Sequence, residues 1–216
     1  MTEQNFEQLR SAMVASQLRT SAVNDPQVIA AMSAVPRERY VPADRAALAY
    51  LDVALPLGRE RAMPAPMVLG RLLTEARPRR HDRALVVGAA TGYSAAVLAK
   101  LVGSVVALEE DPAFVAVRTE VLEDAPVLRV SAPLEAGWPA EAPYDIILLD
   151  GAVEQVPEAL VGQLADGGRL LAPILDGGVV RLSIGRKAAD SFGLVSVVDA
   201  EAPVLPGFAR PVAFHF

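Results

Sequence analysis

The sequence contains no cysteine and only two histidines, His81 and His215. Without thiols, the chain cannot form a disulfide framework, a thiolate zinc site or a cysteine nucleophile. A histidine-built metal site or a Ser-His-Asp triad would have to use one of the two histidines, and both are poor candidates. The sequence therefore predicts no metal site, and any catalysis has to rely on other side chains.

Positive charge is also in short supply. The 20 Lys and Arg residues face 26 Asp and Glu residues, which gives a formal net charge of -6 and a pI near 5.0. Binding to nucleic acid or to an anionic membrane surface needs a positive footprint. The start of the chain lacks a basic segment followed by an apolar one, and no apolar run approaches the roughly 18 residues of a membrane span. We therefore expect the protein to bind neither nucleic acid nor a membrane and to be located in the cytoplasm.

Apolar residues make up 52% of the 216 residues and charged residues 21%, which excludes disorder as the main state and supplies a sizeable core. Residues 5–19 carry apolar side chains at helical spacing, which predicts an amphipathic helix there. Asp25-Pro26 is a helix start, so a short helix should run through Met32 and end at Val35-Pro36. The prolines of residues 36–66 predict an irregular stretch.

From residue 84 onwards, short apolar runs alternate with helical patterns. Strands are predicted at residues 84–87, 105–108, 127–130, 146–149, 169–172, 179–184, 194–198 and 212–216, and helices at 94–101, 111–122 and 157–164. Continuous apolar strands between helices are typical of a parallel sheet with both faces covered. We predict an α/β fold with a doubly wound, mostly parallel sheet and an N-terminal helical segment. One domain should span residues 1–216, with residues 1–80 preceding a core of 81–216.

The turn after the first predicted strand is the best position for a ligand. It consists of Gly88, Ala89, Ala90, Thr91, Gly92 and Tyr93. In a doubly wound sheet, ligands lie beyond the carboxyl ends of the strands, where glycines let the backbone approach them. The dinucleotide spacing G-x-G-x-x-G would fall on Gly88, Ala90 and Tyr93, a poor match. The S-adenosylmethionine pattern E-x-G-x-G-x-G falls on Val86, Gly88, Ala90 and Gly92, and keeps two of its three glycines.

Acidic residues follow two of the other predicted strands. Glu109 ends the second apolar run, where a carboxylate can accept hydrogen bonds from both hydroxyls of a ribose. Alternatively, Glu109 and Glu110 form a solvated turn before Asp111. Asp150 ends the fourth run and either lies beside the cofactor or the reacting centre or forms an ordinary Asp-Gly turn. We predict that the turn 88–93 and these three acids bind the cofactor.

Several segments, taken in order along the chain, match the pattern of a known family. They are Arg10-x-x-Met13-Val14-x-x-Gln17-Leu18, Val35-Pro36-Arg37-Glu38-x-Tyr40-Val41-Pro42, Ala49-Tyr50-x-Asp52-x-x-Leu55-Pro56-x-Gly58, Gly92-Tyr93, Gly137-Trp138-Pro139 before Ala142-Pro143-Tyr144-Asp145, and Gln163-Leu164-x-x-Gly167-Gly168-Arg169-Leu170-x-x-Pro173. The ordered set covers most of the chain and is specific. On these residues the chain resembles the protein-L-isoaspartate O-methyltransferases.

The resemblance implies a class I methyltransferase-like (Rossmann-like) fold with S-adenosylmethionine as cofactor. It also implies methyl transfer to the free α-carboxylate of an isoaspartyl residue in a protein or peptide, a reaction of protein repair. Such a carboxylate is already ionised near neutral pH, so no strong general base is required. The enzyme's task is then to position the reactants, exclude water and supply complementary charge.

The sequence departs from the family in the substrate loop. The family reads Gly-Gln-Thr-Ile-Ser-x-Pro where this chain has residues 60–66, and its Ser or Thr hydroxyl lies near the reacting carboxylate. Pro64 occupies the hydroxyl position and supplies neither a hydroxyl nor a backbone N–H. The catalytic residue is therefore unknown. The resemblance places Gly58, Arg61, Pro64 and Pro66 at the substrate.

Two further departures concern the cofactor. The leading acid and the middle glycine of the loop are replaced by Val86 and Ala90, and an alanine at a positive φ costs roughly 1 kcal/mol. The family's Gly-Asp-Gly on the adenine side becomes residues 132–134, and a lost adenine acceptor costs about 1–3 kcal/mol. Together with the substrate loop, such losses would approach about a thousandfold in binding. The alternative function is therefore a binding or regulatory protein without catalysis, while a nicotinamide oxidoreductase is disfavoured by the glycine spacing.

Arg61 is a cation that the family pattern does not contain. An arginine fork can hold a carboxylate by two hydrogen bonds, so Arg61 could replace the lost polar contacts to an acidic substrate. Alternatively, the loop is solvated and Glu60 offsets its positive charge.

Overall fold

The N-terminal part of the chain forms helices and a short hairpin in the computed structural model, which describes residues 5–115 and 127–210. Its elements are α1 (Phe6–Met13), α2 (Pro26–Ala34), β1 (Leu55–Gly58), β2 (Arg61–Met63) and α3 (Pro66–Ala76). A π-helical segment and a 3-10 turn extend α1 to Ser21, so the predicted helix over residues 5–19 is confirmed. The predicted start of α2 is also confirmed, because the Asp25 carboxylate accepts hydrogen bonds from the backbone N–H groups of Gln27 and Val28.

The prediction of an irregular stretch over residues 36–66 is wrong in its second half. β1 and β2 pair there as an antiparallel hairpin. Its turn residues Arg59 and Glu60 have φ values of 52° and 59°. Tight hairpin turns with two left-handed residues normally use Asn or Gly, so this sequence carries no turn signal. Helix α3, with Pro66 at its first position, was also not predicted.

The rest of the described chain forms a seven-stranded sheet with helices. Its elements are β3 (Arg83–Val87), α4 (Tyr93–Ala99), β4 (Ser104–Leu108), α5 (Pro112–Val115), β5 (Val127–Val130), β6 (Tyr144–Leu149), α6 (Glu158–Gly162), β7 (Leu164–Asp176), β8 (Val179–Ala188) and β9 (Ser191–Asp199). The strand order is β5-β4-β3-β6-β7-β8-β9, and the first five of these strands are parallel to one another. β8 and β9 are antiparallel additions. The predicted doubly wound, mostly parallel sheet is confirmed.

Both faces of the central strands β3, β4 and β6 are covered, which explains why these strands are apolar over most of their length. Val86 packs in the same buried cluster as Leu73 of α3 and Leu98 of α4, whereas Leu85 and Val87 pack in a second cluster. Alternate residues of one strand therefore meet different layers. The later part of the predicted helix 111–122 and the predicted strand 212–216, with His215, lie outside the described residues. Within the described ranges, no helix is long and apolar enough to cross a bilayer.

The connections reverse direction between β3 and β6. After β3 the chain adds β4 and then β5 on one side, and it returns to place β6 on the other side of β3. The loops that leave β3 and β6 thus run in opposite directions and leave a crevice at the carboxyl ends of the two strands. This edge of the sheet is where the predicted turn 88–93 and Asp150 lie.

A buried ion pair fixes the opposite end of the sheet. The Arg169 guanidinium of β7 lies 2.6 Å from the Asp82 carboxylate just before β3, and the two side chains are 8% and 2% exposed. Arg169 also donates to the carbonyl of Ala76 at the end of α3, at 3.2 Å. One side chain thereby connects α3, β3 and β7.

Replacement of Arg169 by Ala should lower the free energy of unfolding by about 3–5 kcal/mol, because it leaves Asp82 buried and unpaired. The measurement is urea denaturation followed by circular dichroism. Arg181→Ala is the matched control, since Arg181 pairs with Asp199 at the surface and should cost less than about 1 kcal/mol. Equal losses in the two variants would contradict the prediction.

Candidate functional site

The turn that leaves β3 has an unusual backbone. Gly88, Ala90 and Gly92 have φ values of 77°, 44° and 97°. The backbone N–H groups of Gly88 and Ala89 both donate to the Leu108 carbonyl, at 3.0 Å each, which ties the turn to the end of β4. The expected cost of alanine at a positive φ, about 1 kcal/mol, therefore applies at Ala90.

Glu109 lies directly beside this turn and is 1% exposed. Its carboxylate accepts hydrogen bonds from the backbone N–H groups of Ala90 at 2.7 Å, Glu110 at 3.0 Å and Asp111 at 3.1 Å. The alternative of a solvated turn is therefore wrong for Glu109. The structure places an acid at the switch point, as the spacing predicted, and its contact with a ribose stays a prediction.

Arg61 of β2 reaches the same carboxylate from the hairpin. Its Nη1 lies 2.8 Å and 3.0 Å from the two carboxylate oxygens of Glu109, and its Nη2 donates to the Gly88 carbonyl at 2.7 Å. Arg61 is only 7% exposed, so the alternative of a solvated loop is wrong for Arg61, whereas the turn residues Arg59 and Glu60 are exposed. The fork that was expected to hold a substrate carboxylate holds Glu109 instead, because burial of that acid demands a partner.

Side chains also cover the turn itself. A Cβ atom built on Gly88 would lie 2.5 Å from Leu205 and 3.0 Å from Arg61. The residue types fit a nucleoside cofactor, since an acid and a glycine turn meet at the switch point. In this conformation, however, Arg61 uses both oxygens of Glu109, and ribose hydroxyls could bond to them only after Arg61 has moved.

Asp150 follows β6 at the same edge. Its backbone N–H donates to the Val87 carbonyl at 3.0 Å, and its carboxylate accepts a hydrogen bond from Ser94 at 2.8 Å. Burial raises the pKa of Asp150 to about 6, and the Ser94 hydroxyl and the charges of Arg61 and Arg37 oppose that rise. This placement agrees with a position beside the cofactor or the reacting centre.

The other predicted cofactor residues divide into two groups. The Glu110 carboxylate lies 3.4 Å from the backbone nitrogen of Leu134, so it faces the segment that replaces the family's Gly-Asp-Gly. Ala89 and Tyr93 are buried, and Thr91 is half-buried. The Tyr93 ring packs edge-on against Tyr40, with ring centroids 5.6 Å apart, which points to a packing role.

The predicted substrate residues lie on the hairpin and the loop after it. Gly58 ends β1 with a φ of 90°, whereas Pro64 follows β2, Pro66 begins α3, and both prolines are buried. Arg37, which is 1% exposed, donates from Nη2 to the Pro64 carbonyl and from Nε to the Ala49 carbonyl at 2.8 Å. Burial lowers the pKa of Arg37.

Three residues that the sequence analysis gave no role support this site. Arg37 positions the Pro64 loop, Ser94 bonds Asp150, and Arg129 of β5 donates to the Ala90 carbonyl at 2.8 Å. Arg37 was visible only as part of a family segment. Arg129 occupies an alternating position on an edge strand, and nothing in the sequence connects it to a turn 39 residues away.

Known proteins match this chain over most of its length. The sequence model of the protein-L-isoaspartate(D-aspartate) O-methyltransferase family matches residues 8–200. The protein-L-isoaspartate O-methyltransferase of Methylorubrum populi is 38% identical over 187 residues, which are 85% of this chain and 88% of the relative. That of Methylorubrum extorquens is 38% identical over 212 residues, 94% of this chain and 92% of the relative.

Solved structures share the fold. A chain named protein-L-isoaspartate O-methyltransferase superposes with a TM-score of 0.78 at 23% identity, and the match covers 94% of this chain and 66% of that one. A Plasmodium falciparum protein of the same name, solved in complex with S-adenosyl-L-homocysteine, gives a TM-score of 0.77 at 19% identity over 94% of this chain and 99% of that one. The predicted class I methyltransferase-like fold is thereby confirmed. With a match over residues 8–200 and relatives at 38% identity, the chain belongs to the protein-L-isoaspartate(D-aspartate) O-methyltransferase family.

Proposed function

We propose that this chain is an S-adenosylmethionine-dependent methyltransferase that acts on the carboxylate of isoaspartyl residues in proteins or peptides. The observation that carries the proposal is the Glu109 carboxylate, fixed by three backbone N–H groups beside the turn that leaves β3. Family membership supports the reaction class, and the Plasmodium falciparum structure holds the demethylated product of the same cofactor. The family and its named relatives do not favour the alternative of a binding protein without catalysis.

The residues that would hold the cofactor meet at the switch point. Glu109 would accept hydrogen bonds from the ribose, and the turn 88–93 would place backbone beside the nucleoside. Glu110 lies on the side of residues 132–134, and Asp150 lies where β6 ends. When bound there, S-adenosylmethionine supplies a methyl group on a positively charged sulfur.

On the substrate side, this chain's own residues position and enclose the acceptor. The Arg37 Nη2 donates a hydrogen bond to the Pro64 carbonyl, which fixes the loop between β2 and α3. A cavity of about 470 Å³ opens beside this loop, lined in part by Asp52, Ala65 and Pro203. An isoaspartyl carboxylate is ionised near neutral pH, so the loop needs to supply orientation and no proton acceptor.

We infer further that the protein is cytoplasmic, takes part in protein repair and folds as one domain over residues 1–216. Gly58, Pro64 and Pro66 would contact the substrate.

Calorimetry with S-adenosylhomocysteine tests the cofactor. The wild-type chain should bind it, and Glu109→Gln should weaken binding by about tenfold or more, because an amide accepts fewer hydrogen bonds than a carboxylate. Glu141→Gln is the control, since the Glu141 side chain is half-exposed and pairs with Arg83, which is also half-exposed. Absence of binding by the wild type at millimolar ligand would exclude the proposed cofactor.

Pro64→Ser should raise the rate of methyl transfer to an isoaspartyl peptide several-fold, because the serine returns a hydroxyl and a backbone N–H to the substrate loop. The readout is transfer of a radiolabelled methyl group from the cofactor to the peptide. Pro139→Ser, at the exposed first residue of a 3-10 turn before β6, is the control. An unchanged rate in Pro64→Ser would mean that the hydroxyl is not what limits this chain.

Asp150 should make stability depend on pH. Its pKa is raised from 3.8 to about 6 in the folded protein, so the folded state binds more protons than the unfolded state between these values. Stability from this group is therefore lost as the pH rises from about 4 to about 6. Denaturation at several pH values should show Asp150→Asn gaining on the wild type over that range, by up to about 3 kcal/mol, and levelling off above it. A difference that does not vary with pH would contradict this assignment.

A further inference from the structure

The hairpin of β1 and β2 delivers a positive charge to the acid that the cofactor would use. Arg61 forms two hydrogen bonds to Glu109 and one to the Gly88 carbonyl, and both charged side chains are buried. The Arg61 guanidinium also lies 5.9 Å from the centre of the Phe114 ring. These contacts come from one residue of the predicted substrate loop and all lie on the cofactor side.

The acceptor capacity of Glu109 is used up by these contacts. A carboxylate offers about four lone-pair positions on its two oxygens. Three backbone N–H groups already donate to it, from Ala90, Glu110 and Asp111. One position therefore remains for a hydroxyl of a ribose, and the two contacts from Arg61 fill it.

The rest of the hairpin holds Arg61 in this place. Arg59 forms an ion pair with Asp111, the second residue after Glu109. Leu55 and Met63 face each other in the hairpin register, and both are buried. The hairpin is thus attached to the end of β4 at its tip and to the core at its base, with Arg61 between these two attachments.

We propose that Arg61 is an internal competitor for the ribose-binding carboxylate, so that this chain binds its cofactor only when the Arg61 guanidinium leaves Glu109. The inference rests on the proposed function. A charge-assisted, buried contact of this kind keeps the open form a minor population, and the apparent dissociation constant rises in inverse proportion to that population. The same exchange links the two halves of the site, because the residue that leaves Glu109 belongs to the loop that would meet the substrate.

The test is calorimetric titration of wild type, Arg61→Gln and Arg186→Gln with S-adenosylhomocysteine. Glutamine removes the charge and the fork, and it is the residue of the family's loop pattern at position 61. Arg186→Gln makes the same change in net charge at an exposed position of β8, opposite Arg169 in the strand register and away from the switch point. We expect Arg61→Gln to bind about 10- to 100-fold more tightly than the wild type. Arg186→Gln should bind as the wild type does.

A second measurement needs no variant and decides the matter if Arg61→Gln does not fold. In wild-type protein labelled with ¹⁵N in its arginine side chains, a guanidinium held by Glu109 and Gly88 should give slowly exchanging Nη–H signals. Saturation with S-adenosylhomocysteine should abolish the protection of the Arg61 signals. Protection that persists in the saturated complex would overturn the proposal.

The calorimetric outcomes separate this inference from the proposed function. If the wild type binds and Arg61→Gln binds equally or more weakly, the competition is refuted while the proposed cofactor stands. If neither protein binds at millimolar ligand, both the competition and the proposed cofactor are refuted.

Discussion

The buried carboxylate of Glu109 is the interaction on which the site depends. It accepts backbone N–H groups from the turn after β3 and from its own strand end, and it pairs with a cation from the hairpin. These contacts join three segments that are far apart in the chain. A carboxylate this far from water is tolerated only because its lone pairs are satisfied and its charge is matched. The arrangement of these three segments at the carboxyl edge of the sheet therefore depends on one acid.

The same interaction explains how the turn tolerates alanine where the family has glycine. Ala90 takes a φ of 44°, a conformation that an L-residue adopts at a cost of about 1 kcal/mol. Its N–H donates to Glu109 and its carbonyl accepts from Arg129, so both polar groups of the strained residue are bonded. Because each of these charge-assisted bonds is worth about as much as the strain, the turn keeps its shape without the glycine.

Much of the fold could be predicted, because the core strands are apolar on both faces and stand out as continuous runs. The positions of Glu109 and Asp150 at the carboxyl edge of the sheet could be predicted for a related reason, since parallel strands bring their carboxyl ends to one edge. The hairpin could not, because Arg59 and Glu60 adopt left-handed conformations that normally require Gly or Asn. The partner of Arg61 was equally hidden, since 48 residues separate it from Glu109 and only the folded hairpin brings them together.

Arg61 also changes how the departures from the family pattern should be weighed. Counted one by one, the lost hydroxyl, the lost glycine and the lost acid on the adenine side suggest a site that has decayed. A decayed site, however, would have no reason to keep a buried acid at the switch point, since an unpaired carboxylate there is strongly destabilising.

In this chain the acid is retained, and a cation absent from the family pattern neutralises it. The contacts of the pair hold Glu109 in one orientation before any ligand arrives, and preorganisation of this kind lowers the cost of ordering the site at the moment of binding. In the proposed exchange, the free energy needed to displace Arg61 from Glu109 opposes this gain from preorganisation. The balance between these two terms, more than the count of lost motif residues, determines how strongly this chain binds its cofactor.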